Sequence, residues 1–368
     1  MNLFIRTTIA PYRIDLYNAL HTRLNMRMCF YAREATDQRF SPEWLESRCN
    51  FVPTYLKGFY AGAANRKVCS GLWKMVREEK PELVIVPEFQ PVLYQLLLIR
   101  FFRRRKFRIV SMCDDSIDMI ESSNDFSLIH RFLRKWAPRL VDDLIVVSPD
   151  VQKWYQSHFG KGIWLPILMD EVRARKETGR LLPMSASLQE EHHLKGKKVV
   201  LFVGRLVEIK NVDLLIDVCS ALQEDAALVI VGDGPEAENL RKKAQGNERI
   251  LFTGRLEGDA LYAWYHLADV TALLSRQEAF GAVINEALVS GSRVLVSEKA
   301  GSACLVTPEN GAVVPIGDKA VILSALKTQL ALSQSFDGRS MRPCLMPFTF
   351  KERVEVLEKE LLKKTPQR

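Results

Sequence analysis

The stretch EAFGAVINEALVSG (278–291) is apolar enough to form a buried helix, yet it holds two glutamates, Glu278 and Glu286, eight positions apart. Glu278 precedes the predicted helix and is placed to reach the hydroxyls of a sugar. Glu286 lies within the helix, where a carboxylate can accept hydrogen bonds from both hydroxyls of a ribose. Either glutamate taken alone is better explained as a helix cap or a paired acid, so the hypothesis of a nucleotide-sugar site depends on their combination.

The segment between the two glutamates predicts the start of this helix. A helix N-terminus presents unpaired N–H groups and the positive end of the helix dipole, and both favour phosphate. A glycine at this point permits close approach of the backbone to a ligand. The residues predicted to open the helix and to meet a donor are Phe280, Gly281, Ala282 and Val283.

A second group of candidate residues follows the apolar run VVLFV. This run ends in Gly204-Arg205, and Lys210 lies five positions after the arginine. Gly204 lets the backbone approach a ligand, and the two cations can meet a diphosphate from two directions. Taken alone, this pattern is also that of a surface salt bridge. The next apolar run ends in GDGPE (232–236), a tight turn that lacks the GxGxxG spacing of a dinucleotide site.

Together, Gly204-Arg205 with Lys210, GDGPE, the E-x7-E helix and NGAVV (310–314) resemble the C-terminal domain of family-4 retaining glycosyltransferases, the glycosyl transferases group 1. The resemblance covers residues 198–315 in order and at suitable spacing. It implies an α/β protein with the GT-B fold, in which two Rossmann-like domains with parallel sheets face a central cleft. It also implies that the last helix crosses back to the first domain.

The resemblance assigns roles to the matching residues. Arg205 and Lys210 would act catalytically by holding the donor diphosphate and stabilising its charge as it leaves. Glu278 would contact the donor sugar, also as part of the catalytic set, and Glu286 would grip the ribose. Electrostatic stabilisation of this kind needs neither a metal nor a general acid, so the implied reaction is retaining transfer without a cofactor.

The first half of the chain resembles the family more loosely. The stretch TTIAPYR is similar to an acceptor-side loop with a Pro-Tyr-Arg element, here Pro11, Tyr12 and Arg13. Many members of the family carry a histidine after the fourth strand of this domain, where this chain reads MCDDSIDMIES without one. Asp114 or Asp115 would serve the acceptor instead, or would cap the next turn.

Two series of strand signals must position these residues. Short apolar, β-branched runs alternate with helical segments such as 66–79, which predicts parallel sheets covered on both faces. Ligands of such sheets bind beyond the carboxyl ends of the strands. The predicted strands are 2–7, 27–32, 82–87, 107–112 and 143–148, then 198–205, 227–234, 249–254, 270–275 and 292–298.

A length of 368 residues predicts two domains. Residues 174–197 are polar and lack a sustained apolar period, so they are predicted to be a linker. The acceptor-side domain is predicted at 1–173 and the donor-side domain at 198–347. The amphipathic tail at 348–368 is predicted to return to the first domain as a helix.

Composition and cysteine usage predict a cytoplasmic protein. No signal peptide is recognisable, and the longest apolar runs fall well short of the ~20 residues that span a bilayer. The seven cysteines show no CxxC pair, which favours reduced, mostly buried thiols over disulfides or a zinc site.

The charge of the chain is uneven. Residues 1–180 hold 29 basic and 20 acidic side chains, whereas 181–368 hold 23 and 24. The excess lies in RFFRRRKFR (100–108) and RFLRKWAPR (131–139), where bases alternate with aromatic rings. Two interpretations stand equally: a solvated surface, or a face that lies on the anionic inner side of the cell membrane. No nucleic-acid-binding module is recognisable, so no nucleic-acid partner is expected.

With the resemblance, the sequence predicts a hexosyl-type retaining glycosyltransferase. Its donor is expected to be a nucleoside diphosphate sugar, in the first place a UDP-sugar. Its acceptor is expected to be a lipid-linked oligosaccharide or another surface-polysaccharide precursor. The alternatives are a catalytically silent GT-B binding protein, a sugar-nucleotide epimerase and an NAD-dependent oxidoreductase.

Overall fold

The structure is a computed structural model, and it describes residues 1–34, 41–61, 66–88, 90–103, 107–121, 135–223 and 225–363. The chain forms two compact units, Met1–Met169 with Phe350–Arg368, and Asp170–Thr349. It passes from the first unit to the second at Asp170 and returns at Phe350. Parts of the two predicted basic stretches, 104–106 and 131–134, lie outside the described residues.

The first unit is built around one parallel sheet of short apolar strands. Its strands are β1 (Asn2–Arg6), β2 (Met26–Phe30), β3 (Thr54–Tyr55), β4 (Gly58–Ala61), β5 (Arg66–Cys69), β6 (Leu83–Pro87), β7 (Arg108–Cys113), β8 (Asp143–Val146) and β9 (Ile163–Trp164). The sheet order is β3-β2-β1-β6-β7-β8-β9, whereas β4 and β5 form a separate antiparallel pair. From β1 the strand order runs outward in both directions, so the switch point of the sheet lies between β1 and β6.

Helices cover this sheet because both of its faces are apolar. Leu3 and Ile5 of β1 pack into one core cluster, and Phe4 between them packs into the other. The helices are α1 (Ile14–Leu24), α2 (Pro42–Ser47), α3 (Leu72–Glu79), α4 (Pro91–Arg103), α5 (Ile117–Glu121) and α6 (Pro149–Phe159).

The second unit repeats the same design. Its strands are β10 (Lys198–Val203), β11 (Ala226–Val231), β12 (Ile250–Gly254), β13 (Val270–Leu273), β14 (Arg293–Ser297) and β15 (Gly311–Val314). Its helices are α7 (Glu171–Thr178), α8 (Leu182–Glu191), α9 (Val212–Ser220), α10 (Ala237–Lys243), α11 (Gly258–Leu267), α12 (Ala282–Val289) and α13 (Lys319–Leu332). The strands are parallel in the order β12-β11-β10-β13-β14-β15, which puts the switch point between β10 and β13.

The last helix, α14 (Phe350–Lys363), belongs to the first unit. Its buried residues Val354, Leu357 and Leu361 recur at helical spacing and share a core cluster with Phe4 of β1. No described helix combines the length and apolar character that crossing a bilayer requires. All seven cysteines lie in the described residues and none forms a disulfide.

The ten strands predicted from apolar runs are all present, with ends that differ by at most three residues. The helix predicted at 66–79 is wrong at its start, since 66–69 form β5 and α3 begins only at Leu72. Gly71, with a φ of +78°, turns the chain between the two elements.

The segment 174–197, predicted as a linker, contains the end of α7 and all of α8 within the second unit. The hydroxyl of Ser185 donates to Ala263 O of α11 at 3.0 Å, so a polar side chain anchors this helix. Its apolar pattern is too weak to predict a packed helix.

Candidate functional site

The loops that follow β10 and β13 meet at the switch point of the second sheet. Their central contact is an ion pair between Nζ of Lys210 and Oε2 of Glu278, two residues 68 positions apart in the sequence. Both side chains are largely buried, with 22% of Lys210 and 14% of Glu278 exposed. The hydroxyl of Ser275 lies 3.5 Å from the same carboxylate oxygen. Two residues predicted for one site are therefore in contact.

Further hydrogen bonds hold these two loops together. The backbone N–H of Arg276 donates to Ile209 O at 2.8 Å, and the side-chain amide of Asn211 donates to Leu274 O at 3.2 Å. The guanidinium of Arg276 also pairs with Glu208, with 2.9 Å between Nη1 and Oε1. These contacts fix the geometry of the ion pair beside them.

Gly281 lies directly before α12 and caps it with a φ of +90°. A Cβ at this position would lie 2.4 Å from Cδ2 of Leu273 and 3.3 Å from Cγ of Glu278. Only glycine therefore fits without displacing its neighbours. The start of the helix is thereby held close to the glutamate of the ion pair.

The other residues predicted at this helix start surround the same turn. Phe280 is buried, and its carbonyl accepts a hydrogen bond from the backbone N–H of Ser302 at 2.7 Å. Ala282 and Val283 form the first turn of α12, where the sequence predicts it. A hydrogen bond from a neighbouring loop therefore fixes the backbone of this turn.

Glu286 lies on α12, and its Oε2 accepts a 2.8 Å hydrogen bond from Oη of Tyr265 on α11. Burial raises the pKa of Glu286 to about 7, and the hydrogen bond from Tyr265 opposes that rise. The side chain retains partial exposure to solvent. Glu286 is therefore a half-buried acid whose pKa is raised towards neutrality.

The turn after β11 crosses the turn after β10 at backbone contact. A Cβ on Gly232 would lie 1.8 Å from the carbonyl oxygen of Gly204, and one on Gly234 would lie 2.3 Å from Leu206 O. The backbone N–H of Leu206 donates to Asp233 O at 2.9 Å. The glycines of GDGPE are therefore explained by the crossing of two loops.

Arg205 lies in the same turn and is the exposed cation of this site. No ion pair joins it to any residue that the structure describes, whereas Lys210 is paired with Glu278. An available guanidinium, a second cation and the N-terminus of α12 follow adjacent strands of one sheet. This set of groups can bind a multiply charged anion such as a diphosphate.

The first unit has a polar cluster at its own switch point, formed by Arg6, Arg13 and Asp114. We name it the Arg6–Asp114–Arg13 cluster. Nη2 of Arg6 lies 2.6 Å from Oδ2 of Asp114, and Nη2 of Arg13 lies 2.6 Å from Oδ1. Burial opposes ionisation of Asp114, but the charges of Arg13 and Arg6 outweigh it and lower its pKa. Asp114 is therefore held as an anion between two cations.

Asp115 belongs to a different cluster. The thiol of Cys113 donates to Oδ2 of Asp115 at 3.5 Å. Sγ of Cys113 and one carboxylate oxygen each of Glu88 and Asp115 lie within 4.8 Å of one another. Burial raises the pKa of the Cys113 thiol, so the thiol is neutral at physiological pH. The remaining acceptor-side candidates, Pro11 and Tyr12, form a single turn of 3-10 helix with Arg13.

Part of this chain matches a known protein family. Residues 197–331 match the family model described as Glycosyl transferases group 1. The matched segment includes Arg205, Lys210, Glu278 and Glu286. The chain carries a group 1 glycosyltransferase domain. The resemblance drawn from the sequence is thereby confirmed.

Relatives of this glycosyltransferase domain include a GDP-mannose-dependent alpha-(1-6)-phosphatidylinositol monomannoside mannosyltransferase of Mycobacterium tuberculosis. The two chains are 32% identical over 177 residues, which are 44% of this chain and 45% of that relative. The match therefore spans less than half of the length of this curated relative.

Two solved structures show the fold of the whole chain. The lipopolysaccharide outer core galactosyltransferase WaaB in its apo form has a TM-score of 0.68 at 15% identity, covering 99% of this chain and 100% of that one. Anabaena HepE in complex with UDP has a TM-score of 0.69 at 17% identity, covering 98% and 95%. The fold class is the predicted one, GT-B with two Rossmann-like units.

The sequence did not predict two of the residues that hold the candidate sites in place. Arg6 pairs with Asp114, and its signal is a charged residue at the carboxyl end of an apolar strand. Tyr265 bonds Glu286 from within a helix rich in aromatic residues, where no pattern marks it.

Proposed function

We propose that this chain transfers a hexosyl group from a nucleoside diphosphate sugar to a glycan or lipid-linked acceptor. The observation that carries the proposal is the Lys210–Glu278 ion pair at the switch point of the second sheet, beside the glycine that caps α12. The match of this segment to the group 1 glycosyltransferase model supports it.

The chemistry that we propose is electrostatic. Arg205 and Lys210 neutralise the diphosphate as it leaves. Glu278 orients Lys210 through their ion pair, and Glu278 also contacts the donor sugar. Glu286 binds the ribose of the nucleotide. Two cations supply the charge that a metal would supply, so we propose a metal-independent reaction without a cofactor. Transfer with retention, by attack on the face from which the diphosphate leaves, is the stereochemistry that we propose.

UDP is the nucleotide that we propose for the donor. The complex of the structurally similar HepE with UDP supports this choice. The mycobacterial relative is named for GDP-mannose, so GDP is the competing base. Both nucleotides offer the same ribose and diphosphate to Glu286, Arg205 and Lys210, and the contacts to the base decide between them.

We propose a lipid-linked oligosaccharide or another surface-polysaccharide precursor as acceptor, used at the cytoplasmic face of the membrane. The names of the relatives, which act on a phosphatidylinositol mannoside and on lipopolysaccharide, support this class. The first unit also exposes several rings and aliphatic side chains. These are Leu98, Phe101 and Phe102 on α4, and Trp136 and Leu140 on the segment beside it.

Basic side chains lie on the same two segments as these exposed residues. Nη1 of Arg100 lies 2.7 Å from Oδ2 of Asp142, and its Nη2 donates to Leu140 O, so α4 is tied to the segment at 135–142. The guanidinium of Arg139 lies 5.4 Å from the ring centroid of Trp136. Exposed rings next to cations are suited to the headgroup region of an anionic bilayer.

The experiment that tests the donor proposal measures binding of UDP and GDP by calorimetry, then turnover of their sugars. Lys210→Ala should lower turnover on the order of 10²–10³-fold, as the loss of one preorganised charge does. Lys243→Ala is the control, because Lys243 pairs with Asp217 at the surface of the same unit. Its turnover should equal that of the wild type.

The outcomes separate the competing functions. Tight nucleotide binding without turnover on any acceptor would indicate a silent binding protein, and turnover of the donor without an acceptor would indicate an epimerase. If Lys210→Ala keeps full activity, the donor site lies elsewhere. Turnover that disappears with EDTA and returns with Mg²⁺ would contradict the metal-independent mechanism.

A further inference from the structure

The Arg6–Asp114–Arg13 cluster contains hydrogen-bond donors without acceptors. Arg13 is 1% exposed, and its Nε and Nη1 have no hydrogen-bond partner among the described residues. The hydroxyl of Tyr17, whose side chain is 0% exposed, also has no partner there. Buried polar groups are almost always hydrogen-bonded, because water that they lose must be replaced. Three buried donors near one another therefore indicate a missing partner.

Arg13 and Tyr17 are neighbours on one helix face. Arg13 is the N-cap of α1 and Tyr17 follows four residues later, a spacing that brings side chains together. Burial raises the pKa of Tyr17, while the nearby charges of Arg6 and Arg13 act to lower it. The ring centroid of Tyr17 lies 5.3 Å from that of Phe4 and 5.7 Å from that of Phe30, and these two rings hold the tyrosine in place.

The chemistry of these atoms identifies the class of partner. Guanidinium N–H groups only donate, and the tyrosine hydroxyl donates as well. The cluster carries one net positive charge, because the carboxylate of Asp114 faces two guanidiniums. A positively charged set of donors is complementary to an oxyanion. The oxygens of a phosphate or a carboxylate match the spacing of the N–H groups of a planar guanidinium.

A pocket in the first unit adds a second source of positive charge. Arg13 lines this pocket together with Tyr12, Pro166 and Arg353. Arg353 lies near the start of α14, with its guanidinium carbon 4.2 Å from the ring centroid of Trp164. Two arginine side chains therefore line the pocket, and its walls come from one unit alone.

We propose that the Arg6–Asp114–Arg13 cluster and Tyr17 form a binding site for a phosphate group carried by the acceptor. The link to the acceptor rests on the proposed function, whereas the anion site follows from the unpaired donors. Inorganic phosphate and an esterified phosphate share this chemistry. The acceptor would thus be held by its phosphate in the first unit, near the carboxyl ends of β1 and β7.

The test uses the full chain with inorganic phosphate and glycerol 3-phosphate as probes, followed by calorimetry and thermal unfolding against sodium chloride of equal ionic strength. Tyr17→Phe should bind phosphate on the order of tenfold more weakly, since one hydrogen bond to a charged group is lost. Its melting temperature without phosphate should be unchanged or higher, because an unpaired buried hydroxyl is removed. Tyr55→Phe is the control: its hydroxyl donates to Glu46 at 2.6 Å, and its phosphate affinity should match the wild type.

Arg13→Gln should abolish phosphate binding. If that variant does not fold, the phosphate affinities of Tyr17→Phe and Tyr55→Phe decide whether the site exists. Repeating the titrations with Lys210→Ala separates this site from the donor site, since phosphate binding in the first unit should persist. Binding of UDP is measured on the same samples, so a failed donor site is seen independently of a failed phosphate site.

Binding of glycerol 3-phosphate with the same dependence on Tyr17 would support a phosphate ester of the acceptor as the ligand. Binding of inorganic phosphate alone would support the anion site and overturn its role in holding the acceptor. Equal phosphate affinity in wild type and Tyr17→Phe, or no binding to either, would overturn the site itself.

Discussion

Tyr265 donates a 2.8 Å hydrogen bond to Oε2 of Glu286 and so joins α11 to α12. Tyr265 is fully buried, whereas Glu286 is partly accessible. A carboxylate has acceptor capacity for about four hydrogen bonds, so one bond from Tyr265 leaves room for both hydroxyls of a ribose. The tyrosine therefore orients the glutamate and leaves acceptor capacity for the proposed ribose contact.

Nucleotide affinity should rise with pH through about 7. Burial raises the pKa of Glu286 from its ordinary 4.5 to about 7. In the proposed contact, ribose hydroxyls donate to the ionised carboxylate, so binding favours the form that dominates above that pKa. Calorimetric titration with UDP over the range of about pH 5.5 to 8.5 measures this dependence.

Glu286→Gln is the matched control for this titration. It keeps the shape of the side chain and any titration of the nucleotide phosphates, but it removes the ionisable carboxyl. Its affinity should be lower than that of the wild type above pH 7 and should change less with pH. Parallel pH profiles of the two proteins would show that Glu286 does not bind the ribose.

Tyr265→Phe should move the pH profile of nucleotide binding to higher pH. The hydrogen bond from Tyr265 opposes the rise in the pKa of Glu286, so its loss raises that pKa further. The free energy of unfolding should fall by about 1–3 kcal/mol, because a hydrogen bond to a carboxyl group is lost. Urea denaturation and UDP titration measure the two effects.

Tyr55→Phe serves here as the control, because it removes an equivalent tyrosine–glutamate bond in the other unit. It should lower stability without moving the pH profile. A Tyr265→Phe variant with the wild-type profile would mean that the tyrosine has a packing role only.

Ten of the strands could be predicted because buried parallel strands are continuous apolar runs. β3 and β9 contain two residues each, too few for any pattern to mark them. The sequence could also predict that Lys210 and Glu278 share a site, since both follow strands at one edge of a sheet. It could not predict that they form an ion pair, which depends on the path of the loops.

The pairing of Asp114 in the first unit could not be predicted from the sequence. Its type and position after a strand predict an acceptor-side acid. Whether it is free to act as a base depends on Arg6 and Arg13, which lie 108 and 101 positions away in the sequence. The unpaired donors of Arg13 depend likewise on packing around it, which only the folded structure reveals.

Gly281→Ala should destabilise the second unit and abolish nucleotide binding. The new methyl group would meet Cδ2 of Leu273 at 2.4 Å, and the φ of +90° would be strained as well. Gly246→Ala is the control, since Gly246 has a φ of +82° but no atom within 4 Å of its Cβ position. Strain alone costs about 1–2 kcal/mol, so the control should lose about that much.

The excess loss in Gly281→Ala, about 1–3 kcal/mol from overpacking, then measures the contact at the helix start. Thermal unfolding gives both stabilities, and UDP titration gives binding. Equal decreases in the free energy of unfolding of the two variants would show that the loop adjusts to the methyl group without further destabilisation. Retained UDP affinity in Gly281→Ala would remove the helix start from the donor site.

Replacement of both Phe101 and Phe102 by serine should weaken binding to anionic vesicles without changing the melting temperature. The two rings are 76% and 67% exposed, so little core packing is lost. Their transfer to a bilayer contributes about 1.5–3 kcal/mol each when complete, so sedimentation with phosphatidylglycerol vesicles should fall at least tenfold. Leu332→Ser, at a residue of α13 that is 59% exposed, is the control and should bind as the wild type does. Equal binding of all three proteins, or no preference for anionic over neutral vesicles, would favour a solvated surface over a membrane contact at these rings.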